Sequence, residues 1–480
     1  MRICLLNDSF PPVIDGVANT VVNYASDLQS RDNIEVAVGT PFYPDTDYSI
    51  YPYPVITYPS LNTTALTSGY RAGYPFPVKQ IGEMAMFIPD IIHTHCPIAS
   101  TFIARSLRSA TGAPIILTYH TKYDIDIRRT VPGRILQDES IKALVQNVSA
   151  CDEVWTVSHG AGENLKSLGY QGEWKVVPNG VDFQKGLVPE QDVREAVKDY
   201  DLPADIPVFL FVGRMMNYKG LPLIIEALRK LAETHDFRMV FIGRGADEAS
   251  LKKSASDAGF TVDERLSDGT VHTIPGENKN GRIIFTGSIS DRNILRAWNT
   301  RADLFLFPST FDTNGLVVRE AAACGLASVL VKGSCAAEGI TDGRNGFLIE
   351  ENAESMAALL EHACTHLSEI REAGQKAMDE IYLSWHDAIS LAEKLYGDVL
   401  ERKKNGLLKE HNPMDEEAVF RITANAARLY AAAADDDLPL FDGMLDNLHD
   451  LRIQAENDFR ERLEQTKKEA EDTLHQLLKK

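Results

Sequence analysis

Short apolar runs alternate with amphipathic segments from residue 1 to about residue 195 of the chain. The runs have the length and the aliphatic content of buried strands, and several of the segments between them have helical spacing. We predict strands at residues 3–6, 34–38, 91–93, 115–118 and 153–157. Strands that alternate with helices favour a parallel α/β sheet. Residues 43–77, rich in Pro, Tyr, Ser and Thr, interrupt this alternation, and we predict a long irregular insertion there.

The same alternation begins again after a turn-forming cluster at residues 176–182, which reads Val-Val-Pro-Asn-Gly-Val-Asp. A second set of strands is predicted at residues 208–212, 238–242, 283–286, 303–307 and 327–331. The chain therefore divides into two α/β units, at residues 1–195 and 196–380. Ligands of such sheets bind at the carboxyl ends of the strands, so we expect the site in the cleft between the units.

Residues 381–405 have the pattern of one more helix, and a helical extension is predicted at 406–480. Within it, residues 414–434 form an Ala-rich helical pattern. A later apolar stripe has helical spacing and consists of Leu448, Leu451, Ala455, Phe459, Leu463, Ala470, Leu474 and Leu477. The stripe favours a helical hairpin packed on the body of the protein, and formation of a homo-oligomer through these helices is the alternative.

Composition narrows the function without naming it. The 480 residues are 44% hydrophobic and 25% charged, as in an ordinary globular enzyme, and the net charge of -20 argues against a nucleic-acid partner. The six cysteines are scattered, which favours buried free thiols in a reducing cytosol and gives no metal site. The N-terminus lacks the pattern of a signal peptide, and no stretch reaches the roughly 18 apolar residues that span a bilayer. We expect a cytoplasmic protein, peripheral at most on the inner face of a membrane.

Two carboxylates flank a glycine in the segment Asp312-Thr-Asn-Gly-Leu-Val-Val-Arg-Glu320. An apolar run ending at Phe307 precedes this segment and an apolar helix pattern follows it, so the order is strand, loop, helix. The free N–H groups at the helix N-terminus can hold an anion, while the carboxylates accept hydrogen bonds from hydroxyl groups. A sugar nucleotide carries both kinds of group.

Two cations lie on the loop that follows the first strand of the second unit, in Gly213-Arg214-Met-Met-Asn-Tyr-Lys219-Gly220. Arginine binds phosphate oxygens in pairs and lysine acts as a point charge, so Arg214 and Lys219 suit a diphosphate. Gly16 follows the first strand of the chain and opens a helix, where a backbone can approach a phosphate. His120 ends a predicted strand of the first unit and is expected to face the cleft.

These motifs resemble the family 4 retaining glycosyltransferases, whose signature is a pair of acids separated by seven residues. The sequence departs from that family at Asp312, where Glu is usual, and at Asn314, where an aromatic residue is common. The resemblance covers roughly residues 1–400 and implies the GT-B fold, in which two Rossmann-like, doubly wound parallel-sheet domains face a cleft. In that fold the helix at 381–405 crosses back to the first domain. No metal and no cofactor are implied.

The resemblance also implies roles for the site residues. His120 would contact the donor sugar near the reacting carbon, and Arg214 and Lys219 would stabilise the departing nucleoside diphosphate. Asp312 would bind the hydroxyls of the sugar, Glu320 the ribose, and the loop amides of Thr313, Asn314, Gly315 and Leu316 the phosphate. Gly243 and Gly287 match turns that frame the base.

Residues 118–124 and 91–95 are similar to the members of this family that glycosylate diacylglycerol and related lipids. His93 and His95 are interpreted as structural. A basic stretch formed by Lys122, Arg128, Arg129 and Arg134 suits either lipid headgroups or a solvated helix face. The favoured function is transfer of a hexosyl group from a nucleoside-diphosphate sugar, UDP-glucose before GDP-mannose, to a lipid such as diacylglycerol or a glycolipid.

Two alternatives stay open. The acceptor is a soluble molecule or a polysaccharide in the first, and the chain is a catalytically weak sugar-nucleotide-binding or scaffold protein in the second. The intact pair Arg214 and Lys219 argues against the second. A Rossmann dehydrogenase is excluded, because Gly-x-Gly-x-x-Gly does not follow the first strand.

Overall fold

The computed structural model of the chain describes residues 1–13, 15–63, 69–408 and 418–435. Its first unit is built on a seven-stranded parallel sheet with the order β3-β2-β1-β6-β7-β8-β9. The strands of this unit are β1 (Arg2–Leu6), β2 (Glu35–Pro41), β3 (Val55–Tyr58), β4 (Ser60–Asn62), β5 (Arg71–Gly73), β6 (Ile91–Thr94), β7 (Ile115–Tyr119), β8 (Glu153–Thr156) and β9 (Lys175–Val176). The helices are α1 (Gly16–Gln29), α2 (Val78–Met86), α3 (Ala99–Thr111), α4 (Tyr123–Thr130), α5 (Arg134–Ser149) and α6 (His159–Ser167).

The second unit has an eight-stranded sheet with the order β13-β12-β14-β11-β10-β15-β16-β17, parallel except for β13. Its strands are β10 (Val208–Val212), β11 (Arg238–Ile242), β12 (Thr261–Arg265), β13 (Val271–Ile274), β14 (Arg282–Gly287), β15 (Leu304–Phe307), β16 (Ser328–Val331) and β17 (Phe347–Ile349). The helices after the first unit are α7 (Glu190–Val197), α8 (Leu221–Leu231), α9 (Glu248–Asp257), α10 (Arg292–Arg301), α11 (Leu316–Ala323), α12 (Ala353–Thr365), α13 (Leu367–Glu380), α14 (Trp385–Lys404) and α15 (Ala418–Asp435).

Both sheets reverse their strand order at a central pair. The reversal falls between β1 and β6 in the first sheet and between β10 and β15 in the second. The loops at the carboxyl ends of such a pair diverge to opposite faces and leave a crevice, which is where open α/β sheets bind ligands. The predicted site residues that follow β10 and β15 therefore lie at the crevice of the second unit.

The segment at residues 43–77 differs from the irregular insertion that its composition predicts. Its run Val-Ile-Thr-Tyr forms β3, which pairs in parallel with β2, and β4 and β5 form an antiparallel pair. β-Branched and aromatic residues fit a pleated surface, and prolines are tolerated beside them because β3 lies at the edge of the sheet. Because of the prolines, composition alone predicted a loop where the structure has the strand β3.

The core of the second unit includes residues from before the predicted boundary at residues 195 and 196. Val181 and Phe183 are buried in the core of the second unit, and so is Val197 of α7. The prediction assigned Val181 and Phe183 to the first unit, since the second series of strands becomes visible only at residue 208. The residues of the second core thus begin about fifteen residues before the predicted start of the second unit at residue 196.

The helix α14 returns to the first unit after the second unit is complete. Its residues Trp385, Ile389, Ala392, Tyr396 and Val399 are buried in the core beneath the first sheet. Where the chain crosses between the units, the Val181 N–H donates to the carbonyl of Leu383 over 2.9 Å. Two segments, near residues 181 and 383, therefore connect the units.

Residues 418–434 of the predicted Ala-rich pattern lie in α15, which packs on α2 and α3 of the first unit, and residues 414–417 lie outside the described residues. Phe420 is fully buried against Phe76 and Phe102, with ring centroids 5.9 and 5.7 Å away. At Gly82 of α2, a Cβ would meet the Ala427 carbonyl oxygen at 2.9 Å, so glycine permits this close helix contact. The predicted stripe from Leu448 to Leu477 lies outside the described residues. None of the helices in the described ranges combines the length and the apolar character required to cross a bilayer.

Candidate active site

Lys219 and Asp312 meet at the crevice of the second sheet. The Lys219 Nζ lies 2.5 Å from Asp312 Oδ1, and the hydroxyl of Ser309 donates to Asp312 Oδ2 over 2.5 Å. The ammonium also lies 5.3 Å from the centre of the Phe307 ring. An ammonium has three N–H donors, so the pair with Asp312 leaves Lys219 able to bind further oxygens.

A glycine lets the loops after β10 and β15 approach each other closely. Gly220 has a φ of +77°, and a Cβ there would lie 2.5 Å from the carbonyl oxygen of Pro308. Any other residue would push the two loops apart and separate Lys219 from Asp312. Glycine at position 220 is therefore needed for the contact between Lys219 and Asp312.

The loop that carries Thr313 and Asn314 turns into α11 at Gly315, whose φ of +59° is left-handed. Thr313 reaches the opposite unit: its hydroxyl donates to the carbonyl oxygen of His120 over 2.5 Å. The side-chain nitrogen Nδ2 of Asn314 is buried and has no partner among the described residues. Leu316 is the first residue of α11, so the predicted loop residues all lie at this helix N-terminus.

Arg214 projects from the end of β10 with an exposed side chain. Its charge acts on two groups of the first unit. Burial raises the pKa of Tyr70, and Arg214 opposes that rise. Burial likewise raises the pKa of Asp126, where Arg129 and then Arg214 oppose it. Arg214 therefore faces the first unit across the cleft, near the loop that holds Lys219.

His120 lies in a buried cluster of imidazole and aromatic rings. Its Nε2 is 3.0 Å from Nδ1 of His95, and the ring of His95 lies 4.1 Å from that of His93. His93 in turn binds the hydroxyl of Tyr396, on α14, over 2.6 Å. Burial lowers the pKa of His120 to about 3, and it lowers the pKa of His93 and of His95 well below 6.5. The cluster is therefore uncharged at neutral pH.

Glu320 lies on the buried side of α11 and pairs with Arg292, the first residue of α10. The Arg292 Nη2 is 2.5 Å from Glu320 Oε1. Burial raises the pKa of Glu320, and Arg292 opposes the rise. Sequence reasoning missed Arg292. One signal was available: a cation in the first turn of a helix opposes the helix dipole, so such an arginine requires a partner elsewhere.

Gly243 follows β11 and Gly287 ends the neighbouring strand β14, and the Gly243 N–H donates to the Gly287 carbonyl over 2.9 Å. A Cβ on Gly243 would lie 2.0 Å from the carbonyl oxygen of Gly213, so the strand ends converge only because side chains are absent there. A cavity of about 1130 Å³ borders Gly287 and Arg244. This surface adjoins the loop of Arg214.

The N-terminus of α1 differs from the phosphate site that its sequence suggests. Asp15 Oδ1 accepts hydrogen bonds from the N–H groups of Val17 and Ala18, both over 2.7 Å. Tyr70 donates to the other oxygen over 3.0 Å. Aspartate is a strong N-cap, so the chain's own carboxylate occupies the position expected for an anion. Gly16 contributes open backbone beside it, since a Cβ there would meet nothing within 4 Å.

The structure thus brings Arg214, Lys219, Asp312 and Thr313 together opposite His120, with Glu320 on the following helix. Two cations beside free helix amides can hold a diphosphate, and carboxylates nearby can accept bonds from hydroxyls. In the described ranges, no three His, Cys, Asp or Glu side chains group as they would around a metal ion.

Two protein-family models match the chain, one on each unit. The model described as Glycosyltransferase Family 4 matches residues 14–185, and the model described as Glycosyl transferases group 1 matches residues 206–366. Together they match more than half of the chain. The chain belongs to glycosyltransferase family 4. The resemblance based on the paired acids is therefore confirmed.

Curated relatives of this family 4 glycosyltransferase include enzymes named for lipid products. The alpha-monoglucosyldiacylglycerol synthase of Acholeplasma laidlawii is 23% identical over 372 residues, which are 75% of this chain and 87% of the relative. The enzyme of the same name from Streptococcus pneumoniae is 24% identical, over 68% of this chain and 70% of its own length. A GDP-mannose-dependent alpha-mannosyltransferase of Corynebacterium glutamicum is also 24% identical, over 73% of this chain and 77% of the relative.

Solved structures support the fold of this glycosyltransferase. Anabaena HepE in complex with UDP-glucose aligns with a TM-score of 0.60 at 18% identity, covering 84% of this chain and 99% of HepE. Sucrose-phosphate synthase from Thermosynechococcus elongatus aligns with a TM-score of 0.63 at 19% identity, covering 83% of this chain and 99% of that enzyme. The predicted GT-B architecture, with two Rossmann-like domains and C-terminal helices, is confirmed.

Proposed function

We propose that this glycosyltransferase moves a hexosyl group from a nucleoside-diphosphate sugar to a hydroxyl of a lipid acceptor, with retention of the anomeric configuration and without a metal ion. The observation that carries the proposal is the contact between Thr313 and the carbonyl of His120. It joins the charged side of the cleft, beside Lys219 and Asp312, to the uncharged side. A sugar diphosphate needs both, since its phosphates are anionic and its ring is neutral.

The charges of the second unit fit the leaving group. Arg214 and Lys219 would neutralise the charge that develops on the diphosphate as the glycosidic bond breaks. These cations supply what a divalent ion supplies in other transferases. The carboxylate of Asp312 would accept bonds from sugar hydroxyls, and the hydroxyl of Ser309 holds one of its oxygens in place. The amides from Thr313 to Leu316 would complete the phosphate site.

The proposed reaction is a substitution on one face of the sugar. The acceptor oxygen forms a bond to the anomeric carbon on the side from which the diphosphate departs, and a departing phosphate oxygen takes the acceptor proton. His120 is neutral and already bonded to His95, so we assign it to orientation of the sugar rather than to proton transfer. Orientation and charge stabilisation would then supply the acceleration.

UDP-glucose is our first choice of donor. The similarity to two monoglucosyldiacylglycerol synthases supports a glucosyl group, while the GDP-mannose-dependent relative keeps GDP-mannose as second choice. Asp312 replaces the usual glutamate and has one methylene less, so its reach toward the sugar differs from that of most members.

A lipid acceptor is supported by the rim of the first unit. Large apolar side chains lie exposed beyond the carboxyl ends of its strands: Phe42 after β2, Ile98 after β6, and Ile135 and Leu136 after β7. Ile135 is 80% exposed. Exposed apolar side chains that follow the carboxyl ends of the strands offer a surface for an apolar partner.

The same corner of the first unit is basic. Arg128 and Arg129 end α4 and Arg134 begins α5, and all three side chains are exposed. The side-chain amide of Gln137 donates to the carbonyls of Arg128 and Val131, so this corner is held in one shape. In a chain of net charge -20, a local basic corner beside exposed Ile135 fits an anionic lipid surface. A peripheral position on the cytoplasmic face of a membrane follows as part of the proposal.

The first experiment measures thermal stability and nucleotide release with a panel of sugar nucleotides in the presence of EDTA. We expect one donor, UDP-glucose first, to raise the melting temperature and to release its nucleotide slowly. Diacylglycerol in anionic liposomes should then accelerate release and yield a product with the donor's anomeric configuration. If a soluble sugar accelerates nucleotide release and the liposomes do not, the acceptor is soluble and the lipid proposal is wrong. If no donor raises the melting temperature, the proposed transferase activity is refuted.

A further inference from the structure

Arg292 makes three contacts with separate parts of the second unit. Its guanidinium binds Glu320 of α11 over 2.5 Å and Asp182 of the segment that precedes α7. The guanidinium carbon also lies 4.4 Å from the centre of the Phe183 ring. The planar group is therefore held by two carboxylates and one aromatic ring.

The place of Arg292 in its helix makes this arrangement unusual. It is the first residue of α10, where the positive end of the helix dipole repels a cation. Asp291 already caps the helix by accepting from the N–H groups of Asn293 and Ile294. The arginine is thus not required for α10 to start, and a lysine or a polar residue would serve a helix end at least as well.

We propose that Arg292 is a positioning residue for donor binding, which holds one oxygen of Glu320 so that the carboxylate faces the ribose of the nucleotide. This inference rests on the proposed function, in which Glu320 binds the ribose. Arg292 would act through Glu320 and would not touch the donor. The bond to Asp182 fixes the guanidinium from its other side, next to the crossing between the units.

The electrostatics around Glu320 agree with this assignment. Burial raises the pKa of its carboxyl, Arg292 opposes the rise, and the negative charge of Asp182 adds to it. On α11 itself the neighbour one turn on is Cys324, whose own pKa burial raises to about 11, so the thiol carries no charge at neutral pH. Arg296 of α10 faces that thiol. Arg292 therefore opposes the effect of burial and favours the charged form of Glu320, which accepts hydrogen bonds from hydroxyls.

The test is the donor KM of the Arg292→Met variant as a function of pH. We expect KM to rise about tenfold at neutral pH, as a lost charge-assisted hydrogen bond would cause, with a smaller change in kcat. Without the guanidinium, Glu320 takes up a proton at higher pH, so the increase of KM on acidification should begin at higher pH than in the wild type. Arg292→Lys should restore part of the affinity and of the pH profile.

The matched control is Arg301→Met. Arg301 ends the same helix and donates to the carbonyls of Leu202 and Pro203, roughly 13 Å along the axis at 1.5 Å per residue. If Arg292 merely stabilised α10, both variants would lower the melting temperature without a shift of the pH profile. A wild-type KM and pH profile in Arg292→Met would overturn the inference.

A second pair of variants separates the inference from the proposed function. In a Glu320→Gln background, Arg292→Met should add almost nothing to the donor KM, because its route of action is gone. Full additivity would overturn the inference and leave the transferase intact. A wild type that releases nucleotide from no donor would overturn both together.

Discussion

The two sides of the cleft are built from the same strand–loop–helix unit and yet carry opposite kinds of chemistry. The side from the second unit presents charges: Lys219 paired with Asp312, Arg292 paired with Glu320, and the exposed Arg214. The side from the first unit presents the neutral ring of His120, backed by His95 and His93. One fold therefore serves two tasks, because the loops at the strand ends decide the chemistry and the sheets only position them.

Each side of the cleft suits a different part of the sugar-nucleotide substrate. Charged groups in a partly buried crevice act strongly on a diphosphate, whereas a buried imidazole without charge can orient a neutral sugar without competing for that anion. The contact between Thr313 and the His120 carbonyl is where the two tasks meet. Removing a charge and removing a ring should consequently have different kinetic signatures.

Lys219→Ala should produce the largest effect, since it removes a charge from the charged side. We expect kcat to fall by a factor of about 10² to 10³, as for other groups that stabilise a leaving anion, with a smaller rise in donor KM. Steady-state release of nucleotide measures both. Lys230→Ala is the control, because Lys230 pairs with Glu354 away from the crevice; turnover equal to wild type in Lys219→Ala would refute the role.

Asp312 tests whether that side recognises the sugar as well as the phosphate. Asp312→Ala should lower kcat/KM about a hundredfold, because it removes the acceptor of hydroxyl bonds and the partner of Lys219 together. Asp312→Glu restores the acid usual in the family and should retain activity or change the preferred sugar. Rates with UDP-glucose and GDP-mannose distinguish these results. Wild-type kcat/KM in Asp312→Ala would refute the role of the carboxylate in binding the sugar.

The smallest effect is expected for the neutral side of the cleft, where the pH dependence of the free energy of unfolding should change. The histidines of the cluster stay unprotonated in the folded chain, with a pKa of about 3 for His120, while unfolded histidines take up protons near pH 6.5. The unfolded state then binds more protons, so this contribution is complete above about pH 6.5 and is lost as the pH falls toward 3. His95→Gln should reduce the dependence by about 1.4 kcal/mol per pH unit below pH 6.

Urea unfolding of the wild type and of His95→Gln between pH 5 and 8 measures this slope. The exposed His272 of β13 offers a control, His272→Gln, that should retain the dependence of the wild type. Identical slopes in all three proteins would mean that the cluster takes up protons without unfolding. The neutral side would then be a charged one in acid, and the comparison between the two sides would fail.

Much of the fold was predictable because apolar runs are a direct consequence of burial. The strands β10 and β11 have the predicted bounds, and most of the other predicted strands differ from the observed ones by one or two residues. The strands β9, β12, β13 and β17 had no predicted counterpart. β3 escaped prediction since its flanking prolines indicate a loop unless the edge position is known. The packing of the segment that begins at Val181 was not predicted, because its partners in the second core, such as residues of α10, are distant in sequence.

The site was predictable where residues adjoin a strand end, as Arg214, Lys219, Asp312 and His120 do. Their partners were not, because a pairing such as that of Arg292 with Glu320 depends on how two helices pack. The bond between Thr313 and His120 likewise depends on the distance between units. The prediction placed Gly16 at the start of a helix, and it did not anticipate that the side chain of the preceding Asp15 caps α1.

The return of α14 and α15 to the first unit has a consequence for the order in which the protein is made. Residues 385–399 complete one face of the first core and Ala427 belongs to the other, so that core lacks both pieces until the ribosome has passed them. Among the described residues, the core of the second unit ends at Ile381 and the partly buried Tyr382. Although it is synthesised later, the second unit can finish folding first, and the N-terminal half must wait partly open during translation.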